Sequence, residues 1–202
     1  EYTDLEAVAQ RCRTCRTIGG TVAAQTRVRF EDAELQDVEL FGHTANMAEI
    51  DTRTVQFGRY FTDSEDSHAA QVCLIGDSIR EKFFPQGDPA GRVLRVGSEE
   101  FTVVGSMERM GAVLGRDADS FVIIPMRTFL RLRGSRNTIT INVQVVNDRQ
   151  LADTIDEARL ILRGQRRVAA GQEDDFFVGT RDSYIALWQS ISGAFFAVFI
   201  LV

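Results

Sequence analysis

Cys12 and Cys15, in C-R-T-C, are the residues in this 202-residue chain best spaced for redox chemistry. Thiol–disulfide catalysis needs its first cysteine at a helix N-terminus, where the helix dipole stabilises a thiolate. Here the pair follows a helical stretch, which argues against an enzyme, although Arg13 and Arg16 could still lower a thiol pKa. A local structural disulfide and two incidental free thiols both stay open, because a bridge within one turn is geometrically demanding. Cys73 sits apart in an apolar run, and three cysteines are too few for a disulfide scaffold.

No other residue set converges on a reaction. His43 and His68 are the only histidines, each set among polar loop residues, and a zinc site needs three or four convergent ligands. Asp117 and Asp119 follow Gly115 too sparsely for a calcium loop and read as solvated loop residues. Neither a phosphate-binding G-x-x-x-x-G-K nor a nucleophile-elbow G-x-S-x-G occurs, so no catalytic, cofactor-binding or metal residue is assigned. The informative loop is 110–120, where Gly111 and Gly115 flank Ala112, Val113 and Leu114. Apolar side chains on a flexible tip either fold back onto their own core or form a contact that orders when a partner arrives.

The elements that hold these residues follow from patterning. Hydrophobic residues make up 44% of the chain, enough for a sizeable core, and the net charge of −6 offers no overall attraction for nucleic acid or an anionic membrane surface. Residues 4–12 read as a helix capped near Thr3 or Asp4, and Gly19-Gly20 as a stop. Residues 26–30 and 37–42 read as strands of a hairpin turning at the acidic stretch from Glu31. Residues 46–51 read as a helical turn, and 55–61 as a strand interrupted at Gly58. An apolar strand at 69–76 leads into a helix with a Ser78/Glu81 capping box, stopped at Pro85. A hairpin around Gly97-Ser98, a buried strand at 121–125 and a helix at 126–134 follow.

Residues 138–146 alternate strictly, with Ile139, Ile141, Val143 and Val145 expected inward. Asn147 and Gln150 are expected to cap a helix carrying Leu151, Ile155, Ala158 and Leu162 on one face. Its basic end, Arg163, Arg166 and Arg167, reads as the usual complement to the helix dipole. Residues 174–180 read as a strand returning beside 138–146, completing a β-α-β crossover. The last twelve residues, 191–202, are unbroken by charge; as helix they cover about 18 Å, short of the ~30 Å hydrocarbon core. They read either as a buried core helix or as the start of a transmembrane helix, with Tyr184 and Trp188 at the interfacial position.

Longer motifs carry a resemblance. G-R-Y-F-T at 58–62, D-S-E-D at 63–66, V-C-L-I-G-D-S at 72–78, F-F-P-Q-G-D-P-A-G-R-V-L-R-V at 83–96 and F-T-V-V-G-S-M-E at 101–108 together resemble the extracytoplasmic core domain of MacB-type ABC transporter permeases. The family pattern is a G-R-x-F-T-x-x-E/D turn, an apolar strand and helix, then G-x-D-P-x-G and F-x-V-[IV]-G. Cys12 to Cys15 depart from it, since the family usually has an apolar, Pro-Gly-like connection there.

The resemblance implies an α+β, two-lobed fold: a discontinuous porter-like α/β lobe of βαβ units, residues 1–67 and 137–190, and an inserted β-rich Sabre-like lobe, residues 68–136. Residues 191–202 would begin a transmembrane helix. It implies a non-catalytic domain on the periplasmic face of the cytoplasmic membrane, in a multi-pass protein that couples cytoplasmic ATP hydrolysis to export or mechanical transmission. Its implied partners are a second permease copy, an ATPase domain or subunit, the membrane through flanking helices and, in some relatives, a periplasmic adaptor and an outer-membrane channel; no cofactor or nucleic acid is implied. The partner contact would fall on Gly111, Ala112, Val113, Leu114 and Gly115. The alternative is a sensory or regulatory module that binds a peptide, a lipoprotein or a cell-wall hydrolase.

Overall fold

The computed structural model describes residues 1–113, 116–180 and 183. Its strands are β1 (Cys15–Phe30), β2 (Ala33–His43), β3 (Val55–Gly58), β4 (Val72–Ile75), β5 (Val93–Val96), β6 (Glu99–Met107), β7 (Ala112–Val113), β8 (Arg116–Asp117), β9 (Phe121–Pro125) and β10 (Thr140–Val145). The helices are α1 (Tyr2–Arg11), α2 (Met47–Ile50), α3 (Asp63–Ser67), α4 (Asp77–Phe83), α5 (Met126–Arg133) and α6 (Leu151–Gln165), the last preceded by a 3-10 turn at Asp148–Gln150.

The main sheet closes on itself. β1 pairs with β2, β2 with β9, β9 with β4, β4 with β6 and β6 with β5, and β5 returns to β1 through Val28↔Val96 and Arg29↔Arg95. Because side chains alternate along a strand, one set from each fills the ring. Val22, Val28, Val38, Leu40, Cys73, Ile75, Leu94, Val96, Phe101, Val103, Val122 and Ile124 form this core, with Ile79, Phe83 and Phe84 added from α4 and its end and Met126 and Phe129 from α5. Each such burial contributes on the order of 2 kcal/mol, so the ring is the stable centre of the chain. The opposite faces of β4 and β9 carry Leu74, Phe121 and Ile123, which pack with Phe61 and Met107 in a second, smaller cluster.

β1 belongs to two layers. Its second half lies in the ring, while residues 15–21 pair with β10; α1 and α2 pack against β1, α2 also against β10, and α6 against α1. Gly19-Gly20 does not end an element, contrary to expectation: the strand runs straight through it. A Cβ at Gly19 would come within 2.6 Å of Met47 Sδ, and one at Gly20 within 2.6 Å of Leu5 Cδ2. The two glycines therefore let helices approach the strand closely, a role a local turn reading misses.

Other local expectations change as well. The β1–β2 turn needs only Glu31 and Asp32, since Phe30 already pairs with Ala33. Ser78 and Glu81 form no capping box; Gly76 is the N-cap of α4, and Asp77 instead accepts from Arg80 Nε at 2.6 Å. Asn147 does accept a cap bond from Gln150 N–H at 3.2 Å, but the Gln150 side-chain oxygen does not reciprocate. β10 forms, yet residues 141–145 are half-buried on both faces instead of alternating, with α2 packed against this edge strand. Residues 174–180 form no strand, so no β-α-β crossover closes there. Asp174 is drawn instead to Arg159 and Arg163 of α6, which holds this segment as a loop. Among the described residues no helix is long and apolar enough to cross a membrane, and residues 191–202, Tyr184 and Trp188 lie outside them.

Candidate functional site

The corner between α1 and β1 is heavily braced. Cys12 and Cys15 are disulfide-bonded there, with Cα atoms 5.6 Å apart. The short closed turn points two backbone N–H groups the same way. Arg13 N–H and Thr14 N–H each donate to Glu157 of α6 at 3.0 Å, and the Thr14 hydroxyl donates to the same carboxylate at 2.6 Å. That hydroxyl, followed by the two N–H groups, lowers the Glu157 pKa from its ordinary value and keeps the acceptor ionised.

A second clasp joins the start of α1 to the end of α6. Arg166, just past α6, donates to Asp4 Oδ2 through Nε at 3.1 Å and Nη2 at 2.8 Å, so α1 and α6 run antiparallel and α1 is fastened near both its ends, to the middle and the end of α6. Burial works against ionising Asp4, and the hydrogen bonds and charge of the Arg166 guanidinium work the other way. Arg166 also pairs with Asp175 at 3.2 Å and lies over the Phe176 ring. Arg163 and Arg166 at this helix end therefore have specific partners beyond the dipole.

The 110–120 loop is not a solvated coil. Asp119 is 2% exposed and accepts from Met110 N–H at 2.9 Å and Gly111 N–H at 2.6 Å, while Asp117 Oδ1 accepts from Asp119 N–H at 2.8 Å. These bonds make a fixed base for the small β7–β8 hairpin. Gly111 takes φ 84, and Met110 is 55% exposed beside it. Of the five expected contact residues, Gly111, Ala112 and Val113 lie at the base and first strand of this hairpin, and Ala112 is exposed; Leu114 and Gly115 lie outside the described residues.

A third polar group closes the outer face of the ring. His43 lies on β2 rather than in a loop, is 1% exposed, and has Nδ1 2.8 Å from the Tyr60 hydroxyl. Burial, then the positive Arg53, holds its pKa down to about 4, so the ring is neutral at pH 7 and shares one hydrogen bond with the Tyr60 hydroxyl. Arg53 grips Asp51 through Nε at 3.0 Å and Nη2 at 2.6 Å and stacks 4.6 Å from the Phe121 ring centre. His68 sits elsewhere, with Nδ1 2.8 Å from the Ser64 carbonyl. Among the described residues no group of three or more His, Cys, Asp or Glu side chains could hold a metal.

The G-R-Y-F-T-D-S-E turn also acquires a physical reason. Thr62 and Glu65 make a reciprocal capping box around α3, and Arg59 holds Glu65 with two bonds of 2.7 and 2.8 Å. Arg59, ahead of the cap bonds, holds the Glu65 pKa down to about 2. Asp66, next in the chain, accepts from Arg127 N–H at 3.0 Å and so caps α5 from a distant segment. Spacing could have revealed Thr62 and Glu65, since T-x-x-E is a cap signature. Glu157, Arg166 and Asp119 carry no local signal, because their partners are remote in sequence or are backbone N–H groups.

Fold and braces together define a mixed α/β, two-lobed domain organised around interelement clasps. The chain belongs to the MacB-like periplasmic core domain family, whose model matches residues 1–161. It is 30% identical over 150 residues to the pyoverdine export ATP-binding/permease protein PvdT of Pseudomonas fluorescens, covering 71% of this chain and 23% of that protein. It is 28% identical over 176 residues to the macrolide export ATP-binding/permease protein MacB of Nitrosomonas europaea, covering 85% of this chain and 26% of that protein. The chain thus spans about a quarter of the length of these curated relatives. The crystal structure of the periplasmic region of MacB from Actinobacillus actinomycetemcomitans superposes with a TM-score of 0.78 at 16% identity, over 95% of this chain and 82% of that one.

Proposed function

We propose that this chain is the extracytoplasmic domain of an ABC-type export permease and that it transmits motion rather than catalysing a reaction. The observation that carries the reading is the family match across residues 1–161, in relatives named as export ATP-binding/permease proteins. Those names favour export over the sensory alternative. The geometry supports a mechanical role, because β1 runs from the clasped α1–α6 layer into the closed ring as one strand. Displacement of the helix layer is thereby carried into the ring instead of being absorbed by a linker.

In this reading residues 1–67 and 137–190 form the porter-like lobe, residues 68–136 the inserted lobe, and residues 191–202 begin a transmembrane helix of a multi-pass protein. Residues 68–136 supply β4, β5, β6 and β9 of the ring, and the β1–β2 hairpin closes it. A second permease copy and an ATPase domain or subunit complete the machine. A periplasmic adaptor leading to an outer-membrane channel docks on the residue 111–115 hairpin, which Asp119 presents on a fixed base. The test replaces residues 1–180 by a flexible linker in the full-length protein and follows ATP-dependent export of a macrolide and of a siderophore. Export is expected to fail while membrane insertion and ATP hydrolysis persist; undiminished export would refute the proposal.

A further inference from the structure

The resemblance leaves C-R-T-C unexplained, and the structure places it where a covalent bond can govern a contact. The Cys12–Cys15 bond closes the turn whose N–H groups hold Glu157, and both cysteines are partly exposed, whereas Cys73 is fully buried in the ring. We propose that this disulfide is a reducible latch, a site for thiol–disulfide exchange with a dithiol reductant, whose state sets how firmly α6 is held to the α1–β1 corner. The chemistry balances without any other group. A thiolate of the dithiol attacks one sulfur of the bond and displaces the other as a thiolate, which takes up a proton. The second thiol of the reductant then resolves the mixed disulfide. The reductant leaves as its own disulfide, and Cys12 and Cys15 end as two thiols.

What reduction changes is preorganisation. In the closed turn, Arg13 N–H, Thr14 N–H and the Thr14 hydroxyl converge on one carboxylate. Without the bond the same donors remain, but the turn must be ordered each time they meet Glu157. The chain-entropy cost for a closed loop of about four residues corresponds to roughly a twentyfold rise in local opening. The Arg166–Asp4 clasp at the far end contains no sulfur and stays, so the helix pair pivots about one fastened end instead of separating. The latch stands on this geometry alone, whether or not the domain serves an exporter.

Hydrogen exchange, read at Arg13, Thr14 and α6 in the oxidised chain and after mild reduction by a dithiol without denaturant, tests the proposal. Before reduction no thiol should titrate; afterwards two should, with Cys73 silent. Exchange at Arg13 and Thr14 should rise about twentyfold, with a smaller rise across the first turns of α6, while residues 73–75 and 122–124 in the ring stay protected. Glu157→Gln in the oxidised chain should reproduce the α6 change without altering the thiol count. Free thiols at positions 12 and 15 in the untreated protein would overturn the latch, as would unchanged exchange after reduction. A loss of protection reaching the ring would also overturn it, by making the bond a global staple.

Discussion

Replacing His43 by Gln probes the buried contact that ties β2 to the 44–62 connection, and its effect can be worked out from the environment. In the folded chain burial and Arg53 hold the His43 pKa down to about 4, against 6.5 for a free imidazole. Above pH 6.5 both folded and unfolded chains carry a neutral ring, and the group is indifferent to pH. Between 6.5 and about 4 the unfolded chain takes up a proton that the folded domain refuses, so stability falls with pH; below about 4 both are protonated and the loss levels off. At about 1.4 kcal/mol per pH unit the full loss is roughly 3 kcal/mol, most of it reached by about pH 4.5. That is a large share of a total of ~5–15 kcal/mol.

Two neighbours of the sequence motif also titrate and must be separated from it. Glu65, held at about 2 chiefly by Arg59, contributes stability that is present above its ordinary 4.5 and drains between there and about 2. Asp66, pushed up by burial, acts with the opposite sign, because its folded form binds a proton more readily than the unfolded one. Gln at position 43 can still hydrogen-bond to the Tyr60 hydroxyl but cannot titrate. Urea midpoints measured from about pH 7.5 to 4.5, with unchanged m-values, should fall more steeply for the parent than for His43→Gln by roughly 2–3 kcal/mol across the range. Parallel curves would refute the reasoning, since they would mean that His43 titrates as if exposed.

Further outcomes follow from packing and from the hairpin base. Gly42→Ala places a Cβ 2.6 Å from Phe129 Cβ and 2.7 Å from Val22 Cγ1, so thermal unfolding should show a loss of about 1–3 kcal/mol from overpacking between β2 and α5. Asp119→Ala removes the acceptor shared by Met110 and Gly111 N–H, a local loss of about 3 kcal/mol or more if each charge-assisted bond contributes about 1.5 kcal/mol or more. Limited proteolysis should then cut between residues 110 and 117 well before the ring opens; an unchanged cleavage rate would mean the hairpin is held by something else.

What could be read in the sequence was whatever depends on neighbours a few residues away. Val93–Val96 and its hairpin partner, the wholly apolar Phe121–Pro125 and the helix after it were legible because alternation, a Gly-bearing turn and a Pro stop are local signals. Closure of the ring was not, because it rests on Val28 meeting Val96, a pairing that no short window contains. Gly19-Gly20 was misread for the same reason: the side chains that require glycine there come from Met47, Leu5 and Met126. Residues 174–180 have strand-like composition, but ion pairs from α6 to Asp174 override it. At the corner, spacing suggested a disulfide as one of two readings, yet nothing nearby pointed to Glu157, more than 140 positions on.

A domain that transmits motion moves as a body when ATP is hydrolysed across the membrane. Spin labels test this in the full-length permease. One label is placed at Leu160, 70% exposed on α6, to report the distance between the two copies proposed to pair, and a second at Val93, 48% exposed on β5, gives a ruler within one copy. Trapping the ATP-bound state should shift the Leu160-to-Leu160 distance by several ångströms and leave the Leu160-to-Val93 distance unchanged, and the shift should vanish when the ATPase is inactivated. A distance between copies that ignores nucleotide, or a change confined to the ruler within one copy, would contradict it.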